Sequence, residues 1–160
     1  MTADPVSFLS RRIAEAPSVM HLAPAITRPY DGLKEVVSML ASDPRPGVVF
    51  VADGEDRLLG WISEDTLDSD LLVAVLPGDR WLTSGEMDTS EIVRAAQLFQ
   101  QTARDLMSPA GTATPDLTLR EAVSAMSSPH HRVLALVDDQ QRLLGYVTLF
   151  DILAAAVREL

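Results

Sequence analysis

The chain has 160 residues, room for one domain or two small units sharing a core, and it has no cysteine. That absence excludes disulfides, thiolate metal sites and a cysteine nucleophile. Thirteen basic against 23 acidic residues give a formal charge of −10, which repels a polyanion and predicts no nucleic-acid partner. Only 5% of residues are aromatic, so the core must be aliphatic.

No segment reaches the roughly 18–20 apolar residues of a membrane span. Asp4 stands where a secretory leader would carry positive charge. A cytoplasmic protein without a membrane span is expected. In chain order, Val6 to Ala16 reads as a helix with Phe8, Leu9 and Ile13 on one side, giving an N-terminal helical segment over 1–21. His21 stands alone and reads as a surface or boundary residue. A short strand is expected near Leu22 to Ala25. Leu33, Val36, Val37 and Leu40 then fall at i, i+3, i+4, i+7, one apolar stripe on a helix. Gly32 and Glu35 give that helix a weak cap. After a break at Asp43 to Pro46, Val48-Val49-Phe50-Val51 lacks polar alternation and predicts a strand buried on both faces. A turn at Asp53 to Asp56, a strand beginning Arg57-Leu58-Leu59-Gly60 and a helix near Asp65 to Val75 complete a unit over 22–76.

Pro77-Gly78-Asp79 stops that helix. A connecting helical segment over 77–102 is capped at Asp88, Thr89 or Ser90, with Ile92, Ala95, Ala96 and Phe99 as its apolar side. The pattern then repeats over 103–160. Arg142-Leu143-Leu144-Gly145-Tyr146-Val147-Thr148 matches Arg57-Leu58-Leu59-Gly60-Trp61-Ile62-Ser63, identical in the first four residues and alike in the next three. Upstream, Asp138 matches Asp53 and Leu136 matches Val51. Leu119, Ala122, Val123 and Met126 repeat the helical stripe. Thr118 with Glu121 predicts a capping box. A break at Pro129 to Arg132, a buried strand at Val133 to Val137, a turn at Asp138 to Gln141 and a helix near Leu149 to Arg158 follow, with a short strand in front near Gly111 to Thr114. A unit of two or three strands cannot cover its own sheet, and two such units packed together can.

The chain resembles the cystathionine-β-synthase-type (CBS) pair, or Bateman, family. The second repeat carries the fuller match: Ala103-Arg104-Asp105-Leu106-Met107-Ser108, then Thr118 to Ala122, then Gly145-Tyr146-Val147-Thr148-Leu149-Phe150-Asp151, which fits the family's Gly-h-h-Thr/Ser-x-x-Asp signature. The resemblance implies an α/β (α+β) fold: two β-α-β-β-α repeats packed as a pseudo-twofold pair with ligand clefts between them, besides the N-terminal and connecting helices. It implies a regulatory module, not an enzyme, that binds AMP, ADP, ATP or an S-adenosyl compound, with Mg2+ as a possible companion and no covalent cofactor. A homodimer and a separate regulated enzyme or transporter are the expected partners, since the repeats and connector use the whole chain.

By the same resemblance, Thr148 contacts phosphate at a helix N-terminus, where free N–H groups favour anions. Asp151 holds the ribose hydroxyls. Thr112, Ala113, Thr114 and Pro115 line the adenine pocket, and His130, His131 and Arg132 meet phosphate. Thr148-x-x-Asp151 is also an ordinary helix cap, and the basic triplet also reads as a solvated turn. The first repeat has Thr66 where the second has Asp151. Ser63, Asp65 and Thr66 therefore form a weaker site, with Glu64 and Asp65 bringing negative charge near any phosphate. Two rival functions need no nucleotide: a dimerisation scaffold, and Mg2+ sensing by Asp53, Glu55, Asp56, Glu64, Asp65, Asp68 and Asp70. No Gly-rich phosphate loop, nucleophile elbow or metal spacing supports catalysis.

Overall fold

The aliphatic runs of the two repeats become the central strands of two three-stranded sheets. The computed structural model describes residues 4–42, 46–75, 93, 96–127 and 132–159. Helix α1 (Pro5–Leu9) and two 3-10 turns (Ile13–Glu15, Pro17–Val19) come first. The first repeat holds β1 (Ile26–Thr27), α2 (Leu33–Ser42), β2 (Val48–Ala52), β3 (Leu58–Ser63) and α3 (Glu64–Val75). A short helix α4 (Ala103–Leu106) precedes the second repeat's β4 (Thr112–Ala113), α5 (Leu119–Ala125), β5 (Val133–Val137), β6 (Leu143–Thr148) and α6 (Leu149–Arg158). The sheet orders are β1-β2-β3 and β4-β5-β6. In each, the outer short strand runs parallel to the central one, with Ile26 opposite Phe50 and Thr112 opposite Ala135. Parallel neighbours require a crossover, and the amphipathic helices α2 and α5 provide it.

All five residues of β2 and all five of β5 are buried, as their lack of polar alternation predicts. The Thr118 capping box forms: Glu121 N–H donates to Thr118 Oγ1 at 3.2 Å, and Thr118 N–H donates to Glu121 Oε2 at 2.9 Å. The Thr118 backbone and then its hydroxyl hold the Glu121 carboxyl below its usual pKa. Asp56 and Gln141 occupy matching places in the two turns, with φ of 62° and 63°. That left-handed backbone costs an L-residue about 1–2 kcal/mol. Replacing Gln141 with glycine should therefore raise stability by about 0.5–1 kcal/mol after glycine's own entropy cost. Urea unfolding of the variant measures it.

The chain divides into two units that exchange lead-in segments. One comprises 1–24, 54–59 and 109–160; the other comprises 25–53 and 60–108. In the first, Phe8, Ile13, Ala16 and Val19 pack with Leu119, Met126, Leu136 and Ile152. In the second, Leu98, Ala103 and Leu106 pack with Leu33, Val36 and Ile62. Residues 103–108, which read in sequence as the start of the second repeat, thus complete the first repeat's core.

Several local expectations are corrected. The span from Val6 to Ala16 is not one helix, because its backbone pairs with a neighbour. Ile13 N–H donates to Leu117 O, Ala14 N–H to Pro115 O, and Leu119 N–H to Arg11 O, each at 2.9 Å. The first short strand lies at Ile26–Thr27, beyond Leu22 to Ala25. Val37 is 42% exposed, so the buried stripe of α2 is Leu33, Val36 and Leu40. In the connecting segment Leu98 is buried while Ala96 and Phe99 are exposed, so the apolar face is turned from the one expected. Pro77-Gly78-Asp79, Asp88, Thr89, Ser90, Ile92 and Ala95 lie outside the described residues.

Candidate functional site

The end of β6 lies beside the start of β5, since Thr148 is opposite Val133. Leu149 N–H donates to Arg132 O at 2.9 Å, which fixes the exposed Arg132 next to Thr148. Across β5, Ala135 N–H donates to Gly111 O at 2.9 Å, which sets Thr112 opposite Ala135 in the middle of that strand. Thr112 and Thr114 are exposed, while Ala113 turns into the aliphatic core. Thr114 O closes a turn with Leu117 N–H, and Pro115 O takes the Ala14 N–H. One end of the sheet therefore offers Arg132 and Thr148 together, with Thr112 on the far side of β5 opposite Ala135. Ala113 could meet a ligand only through its backbone. His130 and His131 lie outside the described residues.

Thr148 caps α6: its Oγ1 accepts the Asp151 N–H at 3.1 Å and donates to Asp151 Oδ2 at 2.5 Å. The ordinary cap is thus real, and it orients the carboxylate. A second donor comes from the lead-in segment. His21 Nε2–H donates to the same Oδ2 at 2.7 Å, the sense an ionised carboxylate requires. The His21 ring stacks on Tyr146 with centroids 4.6 Å apart and 10° between the planes. Their backbones exchange two hydrogen bonds of 2.9 Å. Glycine at 145 permits that crossing, because a Cβ there would collide with the His21 carbonyl oxygen. His21 is thus a half-buried boundary residue, but not an isolated one. A glycine inside an aliphatic strand signals close approach of another backbone; nothing in the local sequence says which one approaches.

The first repeat builds the same frame with different groups. Thr66 N–H donates to Ser63 Oγ at 3.1 Å, and the two hydroxyls lie 2.7 Å apart. Trp61 exchanges two backbone hydrogen bonds with Ser108, at 3.0 and 2.9 Å, across Gly60. Ser108, Trp61, Ser63 and Thr66 hence stand where the second repeat has His21, Tyr146, Thr148 and Asp151. Asp65 is exposed, one residue from the place of Asp151. The likeness extends into the lead-in segments. Arg12 N–H donates to Glu15 Oε2 and Thr102 N–H to Asp105 Oδ2, both at 2.9 Å. Phe8, Ile13 and Ala16 match Leu98, Ala103 and Leu106 at the same separation along the chain, all of them core residues.

Residues 103–158 match the family model for the CBS domain. That segment is a CBS domain. The whole chain has the fold of CBS-pair structures. A CBS domain-containing protein from Bacillus anthracis is 14% identical, with 98% of this chain and 100% of that one covered and a TM-score of 0.72. The CBS-pair protein CBSX2 from Arabidopsis thaliana is 19% identical over 92% of this chain and 94% of that one, with a TM-score of 0.66. CBSX2 in complex with AMP matches to the same identity and TM-score, covering 92% and 96%. A CBS domain-containing protein from Thermotoga maritima is 20% identical over 91% and 94%, with a TM-score of 0.65. A search of curated proteins returns no match.

The second repeat presents an oriented carboxylate, a helix N-terminus and an exposed arginine at one end of a sheet. A carboxylate accepts paired hydroxyls, and a helix N-terminus with a nearby guanidinium suits an anion. The first repeat presents hydroxyls at the matching place. Among the described residues no three histidine, aspartate or glutamate side chains gather as a cation site. Glu55 of the acidic stretch is paired with Arg57 at 2.8 Å. Among the same residues no helix is long and apolar enough to cross a membrane.

Proposed function

We propose that this CBS pair is a regulatory module that binds an adenosine-containing ligand at its second repeat and modulates a separate protein, an enzyme or transporter. The observation that carries the reading is the Asp151 carboxylate, 30% exposed and aimed by Thr148 at the start of α6 within a matched CBS domain. Asp151 takes the ribose hydroxyls. Thr148 and Arg132 lie where phosphate would follow, and His130 and His131, next to Arg132 in the sequence, would join them. Thr112, Thr114 and the backbone at Ala113 and Pro115 flank the base. AMP is the first ligand to test, because CBSX2 has been crystallised with it. ADP, ATP and S-adenosyl compounds share the ribose, and Mg2+ would accompany a polyphosphate. An adenosyl ligand is an intracellular metabolite, which favours a cytoplasmic location. The first repeat, with Ser63, Asp65 and Thr66, is the weaker site.

Helix α6 favours a homodimer. Phe150, Leu153 and Val157 fall at i, i+3, i+7 and are each at least half exposed in the single chain, a stripe suited to a second copy. The same stripe serves a ligand-free scaffold, the second reading. Calorimetry and sedimentation on the Asp151→Ala variant separate the two. AMP at about 100 times its dissociation constant should stabilise the wild type by about 2.7 kcal/mol, a rise of about 5–10 °C. In the variant that rise should vanish with the dimer intact. Wild-type protein with no response to AMP, ATP or S-adenosylmethionine would leave the scaffold standing.

A further inference from the structure

We propose that His21 is an internal stand-in for the ligand, an autoinhibitory contact that an adenosine compound must displace from Asp151. The inference rests on the ribose-binding reading of Asp151. Its observations are its own. The imidazole makes an edge hydrogen bond to Oδ2 at 2.7 Å and lies flat on Tyr146. Those are the two contacts, one polar and one stacked, that a nucleoside offers a carboxylate beside an aromatic ring. Oδ2 already takes two donors, from His21 and from Thr148, so a ribose diol that engages both carboxylate oxygens must replace one of them. Thr148 belongs to the helix cap. His21 is the dispensable donor, because its backbone is pinned to Tyr146 by two hydrogen bonds and its side chain can leave by rotation alone. Its ring is 43% exposed, which gives it somewhere to go.

The first repeat lacks the device. Ser108 holds the same double backbone bridge to Trp61 and has no ring to stack or to reach the place of Asp151. A stand-in lowers apparent affinity by the fraction of molecules in which the carboxylate is open. It thereby sets the ligand concentration at which the second repeat responds.

The test is calorimetric titration of the full chain with AMP, comparing wild type, His21→Ala and His21→Ser. Serine is the safer variant, since the first repeat already accommodates it at the matching bridge. Both variants should bind AMP about tenfold more tightly, the worth of one hydrogen bond to a charged group. Unchanged or weaker binding in the two variants would overturn the proposal, weaker binding making His21 a ligand contact. If none of the three proteins binds AMP while all fold, the ribose-binding reading of Asp151 fails first and this proposal falls with it.

Discussion

Gly145→Ala should lower stability by about 2–3 kcal/mol, as insertion of a methyl group into a filled site does, and the melting temperature by about 5–10 °C. The added Cβ meets a backbone carbonyl, that of His21, and not the end of a flexible side chain that could swing away. Relief requires the lead-in segment to lift from β6. That breaks both hydrogen bonds between His21 and Tyr146 and draws the imidazole off Asp151. Gly60→Ala should behave alike, because its Cβ would come 2.6 Å from the Ser108 carbonyl oxygen. Gly54 is the control: its Cβ would meet nothing within 4 Å, and alanine there should change stability by less than about 0.5 kcal/mol. Thermal unfolding of the three variants decides. A Gly145→Ala protein as stable as the Gly54→Ala protein would show that the crossing is not needed.

Ile13→Ala should cost about 2–5 kcal/mol, the range for removing a fully buried aliphatic side chain. Ile13 is 0% exposed although it stands far from the second repeat in sequence. Phe8, Ile13, Ala16 and Val19 supply four of the thirteen buried members of that repeat's cluster among the described residues. A fragment of residues 103–160 contains the matched CBS domain and lacks all four. It should show no cooperative urea transition, whereas the full chain should show one. An Ile13→Ala protein with an unchanged urea midpoint, or a fragment that unfolds cooperatively, would mean that the lead-in segment is dispensable.

The sequence by itself determined the central strands and crossover helices of both repeats. Val48 to Val51 and Val133 to Val137 carry no polar residue, so they had to be central strands with both faces covered. The matched Arg-Leu-Leu-Gly blocks and helical stripes announced two copies of one unit. Thr118 with Glu121 marked a helix start, because a hydroxyl and an acid three residues apart satisfy each other's nearest N–H groups. Thr66 in the place of Asp151 already distinguished the two sites.

What only the tertiary structure decided is which distant segment completes each site and each core. Residues 1–21 read as an N-terminal helical segment, 77–102 as a connecting one and 103–108 as the start of the second repeat, because periodicity describes one element's face and is silent on its partner. Their backbones pair with segments far away in the sequence, Arg11 to Ala14 with 115–119 and Ser108 with Trp61. That spends the N–H groups a longer helix would have kept. His21 went unrecognised for the same reason. Its partners, Tyr146 and Asp151, are more than a hundred residues away. A hydrogen bond and a ring stack are set by three-dimensional proximity, which no local spacing encodes.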